Sequence, residues 1–153
     1  MSFPTVQLSE VATFFNGGTP SRKRPEFYEG TIPWITGADI IASGATVTAA
    51  RSHITEEAVK RSATCVVDPG TVLLVTRTSV GKVGIAGVPL AINQDITALK
   101  PDPGRLDRDY LVRALQRSTH HFERRAQGAT ILGVNREVVA TAEIPLPPIE
   151  EQR

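Results

Sequence analysis

The chain has few of the residues that staple, coordinate or anchor: one Cys, one Met, one Trp and two Tyr among 153 residues, with aromatics at 5%. A single thiol, Cys65, excludes an internal disulfide and a zinc site built from thiolates. It lies in the apolar run Thr64-Cys65-Val66-Val67, which reads as a buried strand with the thiol as a small core residue. No segment approaches the ~20 consecutive apolar residues of a membrane-spanning helix. Residues 1–5 carry no cationic cluster followed by an apolar stretch, so the expectation is a cytoplasmic protein with no membrane partner. Net charge is only +1. No global basic excess points to a polyanion, and any face that binds one must arise locally.

Glycine and proline are plentiful, 12 and 11 residues respectively, and they divide the chain into short segments. No repeat, low-complexity tract or like-charge block interrupts it, so it reads as one domain without a flexible linker. Residues 8–12 read as a helical turn entered through Ser9, followed by extended Thr13-Phe14-Phe15 and the loop Asn16-Gly17-Gly18-Thr19-Pro20-Ser21. Short strands follow at 33–36 and 46–48. Thr55 then caps a helix whose first turn holds Glu56 and Glu57 and which ends near Ser62. After the turn Asp68-Pro69-Gly70, the unbroken β-branched and leucine run at 71–76 marks a strand buried on both faces.

Residues 82–86 and 90–93, joined by Gly87-Val88-Pro89, predict a hairpin with Val83, Ile85, Leu90 and Ile92 inward, and 96–99 adds a strand. From 109 to 127 the pattern is helical, with Tyr110, Leu111, Ala114, Leu115 and Phe122 on one face. Arg113, Arg117, His120 and Arg124 form a stripe on the other, which reads best as a solvated face. Residues 142–148 are extended, and 149–153 have the composition of a first helical turn. The fold class expected is α/β (α+β): a twisted, mostly antiparallel sheet of short strands with one long helix packed on it.

Catalytic and cofactor signatures fail on inspection. Gly81-Lys82 suggests a phosphate loop, but position 76 is Thr where Gly is required and Val83 stands where Ser or Thr is required. No glycine-rich fingerprint opens a βαβ unit, and no Asn-Pro-Pro-Tyr-like segment offers an adenine pocket. His120 and His121 are adjacent, so they point to opposite sides of a helix and cannot clamp one metal. No catalytic, metal or cofactor residue is assigned.

Three stretches, read in order, resemble the DNA-specificity domain of type I restriction-modification specificity subunits. They are 8–21, ending in Gly17-Gly18-Thr19-Pro20-Ser21; Gly30-Thr31-Ile32-Pro33-Trp34-Ile35; and Ile144-Pro145-Leu146-Pro147-Pro148-Ile149-Glu150-Glu151-Gln152. Gly70-Thr71-Val72-Leu73-Leu74 through Gly81, and Asn93-Gln94, fall where that family has similar segments. The resemblance implies a non-enzymatic module. Two such domains, separated by long helices, each read half of a bipartite DNA target and position methyltransferase subunits over adenines, and a restriction subunit joins the assembly. S-adenosylmethionine would then belong to the methyltransferase partner, with no cofactor in this chain. The sequence departs from the full pattern in holding one recognition domain, 1–148, and stopping at Arg153. Residues 149–153 read as the start of a truncated spacer helix, through which a second recognition domain or a homodimer partner is expected. The alternative is a protein-interaction module of a defence complex with non-specific DNA affinity.

Given that resemblance, double-stranded DNA requires cations for phosphates, and amide or guanidinium groups on loops for base edges. The candidates are Thr19, Ser21, Arg22, Lys23 and Arg24; Arg77, Thr78, Ser79 and Lys82, on a loop leaving the most buried strand; Asn93 and Gln94; and Thr130, Asn135 and Arg136. For Asn93 and Gln94, satisfaction of loop backbone competes with base reading. For Asn135, a helix cap competes. Asp39 is expected to fix its own loop by hydrogen bonds, because a carboxylate near phosphate repels it.

Overall fold

In the computed structural model, which describes residues 3–127 and 133–153, the apolar run after Asp68-Pro69-Gly70 becomes the centre of the fold. The chain opens with β1 (Thr5–Gln7), α1 (Leu8–Val11), β2 (Ala12–Asn16), β3 (Ile32–Ile35), β4 (Ala45–Val47), β5 (Ser52–Ile54) and α2 (Glu56–Lys60). It continues through β6 (Val66–Val67), β7 (Val72–Val75), β8 (Val83–Ala86), β9 (Leu90–Ile92) and β10 (Ile96–Pro101). It closes with α3 (Arg108–Arg117), α4 (Thr119–Gln127), α5 (Arg136–Thr141), β11 (Glu143–Pro145) and α6 (Ile149–Gln152).

The mixed α/β class and the short, mostly antiparallel strands are as expected, but the strands are divided among three sheets. One has the order β2-β10-β7-β8-β4, a second β5-β3-β9-β6, and a third pairs β1 with β11. Only β3–β9 and β4–β8 run parallel among the described strands. β7 occupies the middle of the five-stranded sheet, and all four of its residues are fully buried. Successive side chains alternate between faces. Val72 and Leu74 join Leu111, Leu115 and Phe122 in one core, while Leu73 and Val75 join Ile35, Leu90 and Ile92 in another. One strand thus ties the helical layer to the second sheet.

Three local expectations are corrected. The hairpin across Gly87-Val88-Pro89 does not form: β8 pairs with β7 and β4, whereas β9 pairs with β3 and β6. The chain changes sheets there, with the Gly87 N–H held by the Val47 carbonyl at 2.8 Å. The single helix at 109–127 is two. Ser118 ends α3, with its hydroxyl donating to the Ala114 carbonyl at 3.0 Å, a local competition with helical bonding typical of serine. Arg113 and Arg117 therefore lie on α3, and His120 and Arg124 on α4. Finally, α1 begins at Leu8, whose N–H donates to the Ala142 carbonyl, and not through a Ser9 cap. Thr55 does cap α2, accepting from the Ala58 N–H at 3.1 Å. Cys65 is half-buried just before β6, its thiol directed at the Asn16 carbonyl, and burial pushes the thiol pKa up.

Candidate nucleic-acid interface

The strand registers gather separate loops at one edge. Asn16, the end of β2, lies opposite Thr97 near the start of β10; Ile96 lies opposite Val75, the end of β7; and Leu74 lies opposite Val83, the start of β8. The segments 17–24, 76–82 and 93–95 therefore emerge together. In the second sheet Ile35 ends β3 beside Ile92, the end of β9, which brings 36–39 to the same side.

Hydrogen bonds fasten these loops to one another and to the strands beneath them. The Thr76 N–H donates to the Asp95 carbonyl at 2.7 Å, and the Thr76 carbonyl accepts from Val134 at 2.8 Å. The Gly18 N–H donates to the Ile92 carbonyl at 3.2 Å, and the Trp34 indole donates to the Gly18 carbonyl at 3.1 Å. The Thr19 hydroxyl donates to the Gln94 side-chain oxygen, and the Tyr28 hydroxyl to the Pro20 carbonyl. The 76–82 loop is tightened further. Gly81 sits at φ +93° against Thr119, and Thr78 is an exposed β-branched residue at φ 68°. Such a conformation costs on the order of 1–3 kcal/mol and persists only where its surroundings over-determine it. Here the Ser79 N–H donates to the Arg77 carbonyl at 2.9 Å, the Gly81 N–H to Val75 at 2.9 Å, and the Lys82 N–H to Ser79 at 3.2 Å.

The sequence candidates are distributed as follows. Thr19, Ser21, Arg22, Lys23 and Arg24 are all exposed. The Arg22 guanidinium lies 4.5 Å from the Tyr28 ring centroid and 5.5 Å from that of Trp34. Arg24 pairs with Glu26 at 2.8 Å, which holds that carboxyl below its usual pKa. Ser21 accepts from the Lys23 N–H at 3.3 Å. Arg77, Thr78 and Ser79 are exposed and Lys82 is half-buried. Asn93 is only 5% exposed, and its side-chain oxygen accepts from the Asp95 N–H at 3.0 Å. Its amide orders the loop, leaving Gln94 as the exposed member of the pair. Asn135 caps α5, accepting from the Val138 N–H at 3.0 Å, and Arg136 follows it, exposed. Thr130 lies outside the described residues.

Sequence reasoning missed Arg51. Its Nε donates to Asp39 at 3.3 Å, its Nη2 to the Thr36 hydroxyl at 3.0 Å and its backbone N–H to Asp39 at 3.1 Å. Asp39 fixes the loop as expected, accepting from the Thr36 N–H at 2.8 Å in a capping box. The Thr36-Gly37-Ala38-Asp39 spacing signals that box, whereas nothing local marks an arginine twelve positions beyond.

Arg22, Lys23, Arg77, Lys82 and Arg136 stand outside every salt bridge found among the described residues. The described residues contain no cluster of His, Cys, Asp and Glu able to hold a metal ion. The edge therefore offers cations, hydroxyls and the exposed Gln94 amide on interlocked loops, the equipment of a recognition module.

That class narrows on comparison with known proteins. Residues 2–153 match the model of the type I restriction modification DNA specificity domain, and the chain belongs to that family. It is 32% identical over 154 residues to the specificity subunit of the Escherichia coli type I restriction enzyme EcoR124I/EcoR124II, an alignment covering 95% of this chain and 37% of that protein. It is 31% identical over 150 residues to the MjaIX specificity subunit of Methanocaldococcus jannaschii, covering 96% and 34%. The chain thus spans about a third of the length of these curated relatives. Its fold superimposes on the HsdS subunit of Thermoanaerobacter tengcongensis with TM-score 0.75 at 24% identity, over 99% of this chain and 34% of that one. The S subunit of M. genitalium gives TM-score 0.70 at 14% identity, over 99% and 36%.

Proposed function

We propose that this chain is a target-recognition domain that reads one half of a bipartite DNA site for a type I restriction-modification system and makes or breaks no bond itself. The observation carrying this reading is the convergence of the 17–24, 76–82 and 93–95 loops at one edge, tied by hydrogen bonds and carrying Arg22, Lys23, Arg77 and Lys82, which lie outside the ion pairs of the described residues. Rigid presentation is what base reading needs, since a productive geometry must be held to within about 0.5 Å. Arg22, Lys23 and Arg77 supply phosphate contacts that set register. Gln94, Thr78 and Ser79 supply groups suited to base edges. The partners in this reading are a methyltransferase subunit, which holds S-adenosylmethionine, and a restriction subunit, all in the cytoplasm. Residues 1–148 are the reader, and the turn beginning at Ile149 leads toward a spacer helix that meets a second recognition domain or a second copy.

The test is selection from a pool of randomised duplexes with the purified chain at several salt concentrations. A short enriched word is expected, with weak affinity falling by about 0.9 log unit per log unit of salt for each phosphate contacted. Binding that enriches no word contradicts the reading and favours an assembly module with non-specific DNA affinity.

A further inference from the structure

We infer that Arg51, held by Asp39 and Thr36, reads a guanine in the half-site; this rests on the DNA-reading function proposed above. A guanidinium has two edges that each carry a parallel pair of N–H donors, one from Nε and Nη2 and one from Nη1 and Nη2. In Arg51 the first edge is occupied, Nε donating to Asp39 and Nη2 to the Thr36 hydroxyl. The second edge makes no hydrogen bond among the described residues, and the Arg51 side chain is 68% exposed. Two parallel donors match the O6 and N7 acceptors of guanine in the major groove.

The support is rigid. The Asp39 side chain is 4% exposed, and its carboxylate also accepts from the backbone N–H groups of Thr36 and Arg51. The position is right as well. Thr36, which accepts from the Arg51 guanidinium, is followed by Gly37, which faces Val75 and lies close to Thr78 of the 76–82 loop. The carboxylate behind the guanidinium reduces its pull on phosphate while leaving its donor geometry intact, which favours a base edge over the backbone. Asp39 therefore acts as a positioning residue and not as a contact.

In the Arg51 variants the buried Asp39 carboxylate keeps its two backbone N–H donors, and Arg51→Lys also keeps a cation beside it, so that variant holds the fold while losing the fork of parallel donors. The experiment repeats the duplex selection with the full chain and with its Arg51→Lys and Arg51→Ala variants. The parent word is expected to contain a guanine whose preference falls about tenfold in both variants, with the other positions kept. Variants that retain the guanine overturn the inference while the DNA-reading function stands. So does an equal loss of affinity for every sequence, the mark of a phosphate contact, or a parent word without guanine. A parent chain that selects no word overturns both.

Discussion

The two edges of the five-stranded sheet are built from the same strands but treat their cations differently. At the edge where β2 and β7 end, Arg22, Lys23, Arg77 and Lys82 lie outside the ion pairs of the described residues, on loops fastened by backbone hydrogen bonds. At the edge where β10 ends, the cations are occupied. Lys100 pairs with Asp68 at 2.8 Å, Arg108 with Asp109 at 3.2 Å, and Arg105 donates to the Glu10 carbonyl at 3.1 Å. There Gln152, only 8% exposed, bonds the Arg105 and Pro147 carbonyls and the Asp107 N–H. A net charge of +1 conceals this asymmetry. The total charge counts paired and unpaired cations alike.

The contrast is broken most severely through glycine. A Cβ at Gly17 would lie 2.2 Å from the Asn93 carbonyl oxygen and 2.3 Å from that of Ile92, both backbone atoms that cannot yield cheaply. Gly17→Ala is expected to destabilise the fold by about 2–3 kcal/mol. Gly104→Ala, at the other edge, meets nothing closer than 3.9 Å and should stay within about 0.5 kcal/mol of the parent. Chemical denaturation of both variants measures the difference, and equal losses would show that the first edge is not tightly packed.

A smaller effect separates the edges by charge. Arg77→Ala combined with Lys82→Ala is expected to weaken DNA binding at unchanged melting temperature and to reduce the salt slope by about 1 to 2. Lys100→Ala should leave both quantities alone. DNA titrations at a series of salt concentrations decide this, and equal slopes for all three proteins would move the binding face elsewhere. The smallest effect concerns Cys65, which lies beneath the first edge against Asn16. Burial raises its pKa, so the thiolate fraction at a given alkaline pH is lower than for a free thiol. Alkylation followed against pH should show a midpoint above that of a free cysteine, and a midpoint at the ordinary value would mean that solvent reaches the underside of these loops.

Much of this was legible in the sequence where the signal is local. The run Val72-Leu73-Leu74-Val75 announces a strand buried on both faces, and Thr55 announces a cap for α2. The partners of β8 and β9 were not legible. Both are almost wholly buried and lack the alternation that would identify an outer face, so a short Gly-Pro connection reads as a hairpin although it carries the chain between sheets. The apolar face continues from Leu115 to Phe122, which hides the break at Ser118. At the interface, sequence supplied the loops but not their convergence, which comes from strand register. It also supplied Asp39 but not Arg51, because their contact joins positions twelve apart with no period connecting them.

The most direct measurement of the central claim is to graft residues 1–148 in place of one recognition domain of a working type I specificity subunit. Assembly of the hybrid with its methyltransferase is confirmed first, and adenine methylation is then mapped across a host genome. The reading of this chain as a recognition domain requires a new half-site within an otherwise unchanged bipartite motif, which would name the word it reads. An assembled hybrid with a folded graft that methylates no new motif would contradict it and leave the domain as an assembly module.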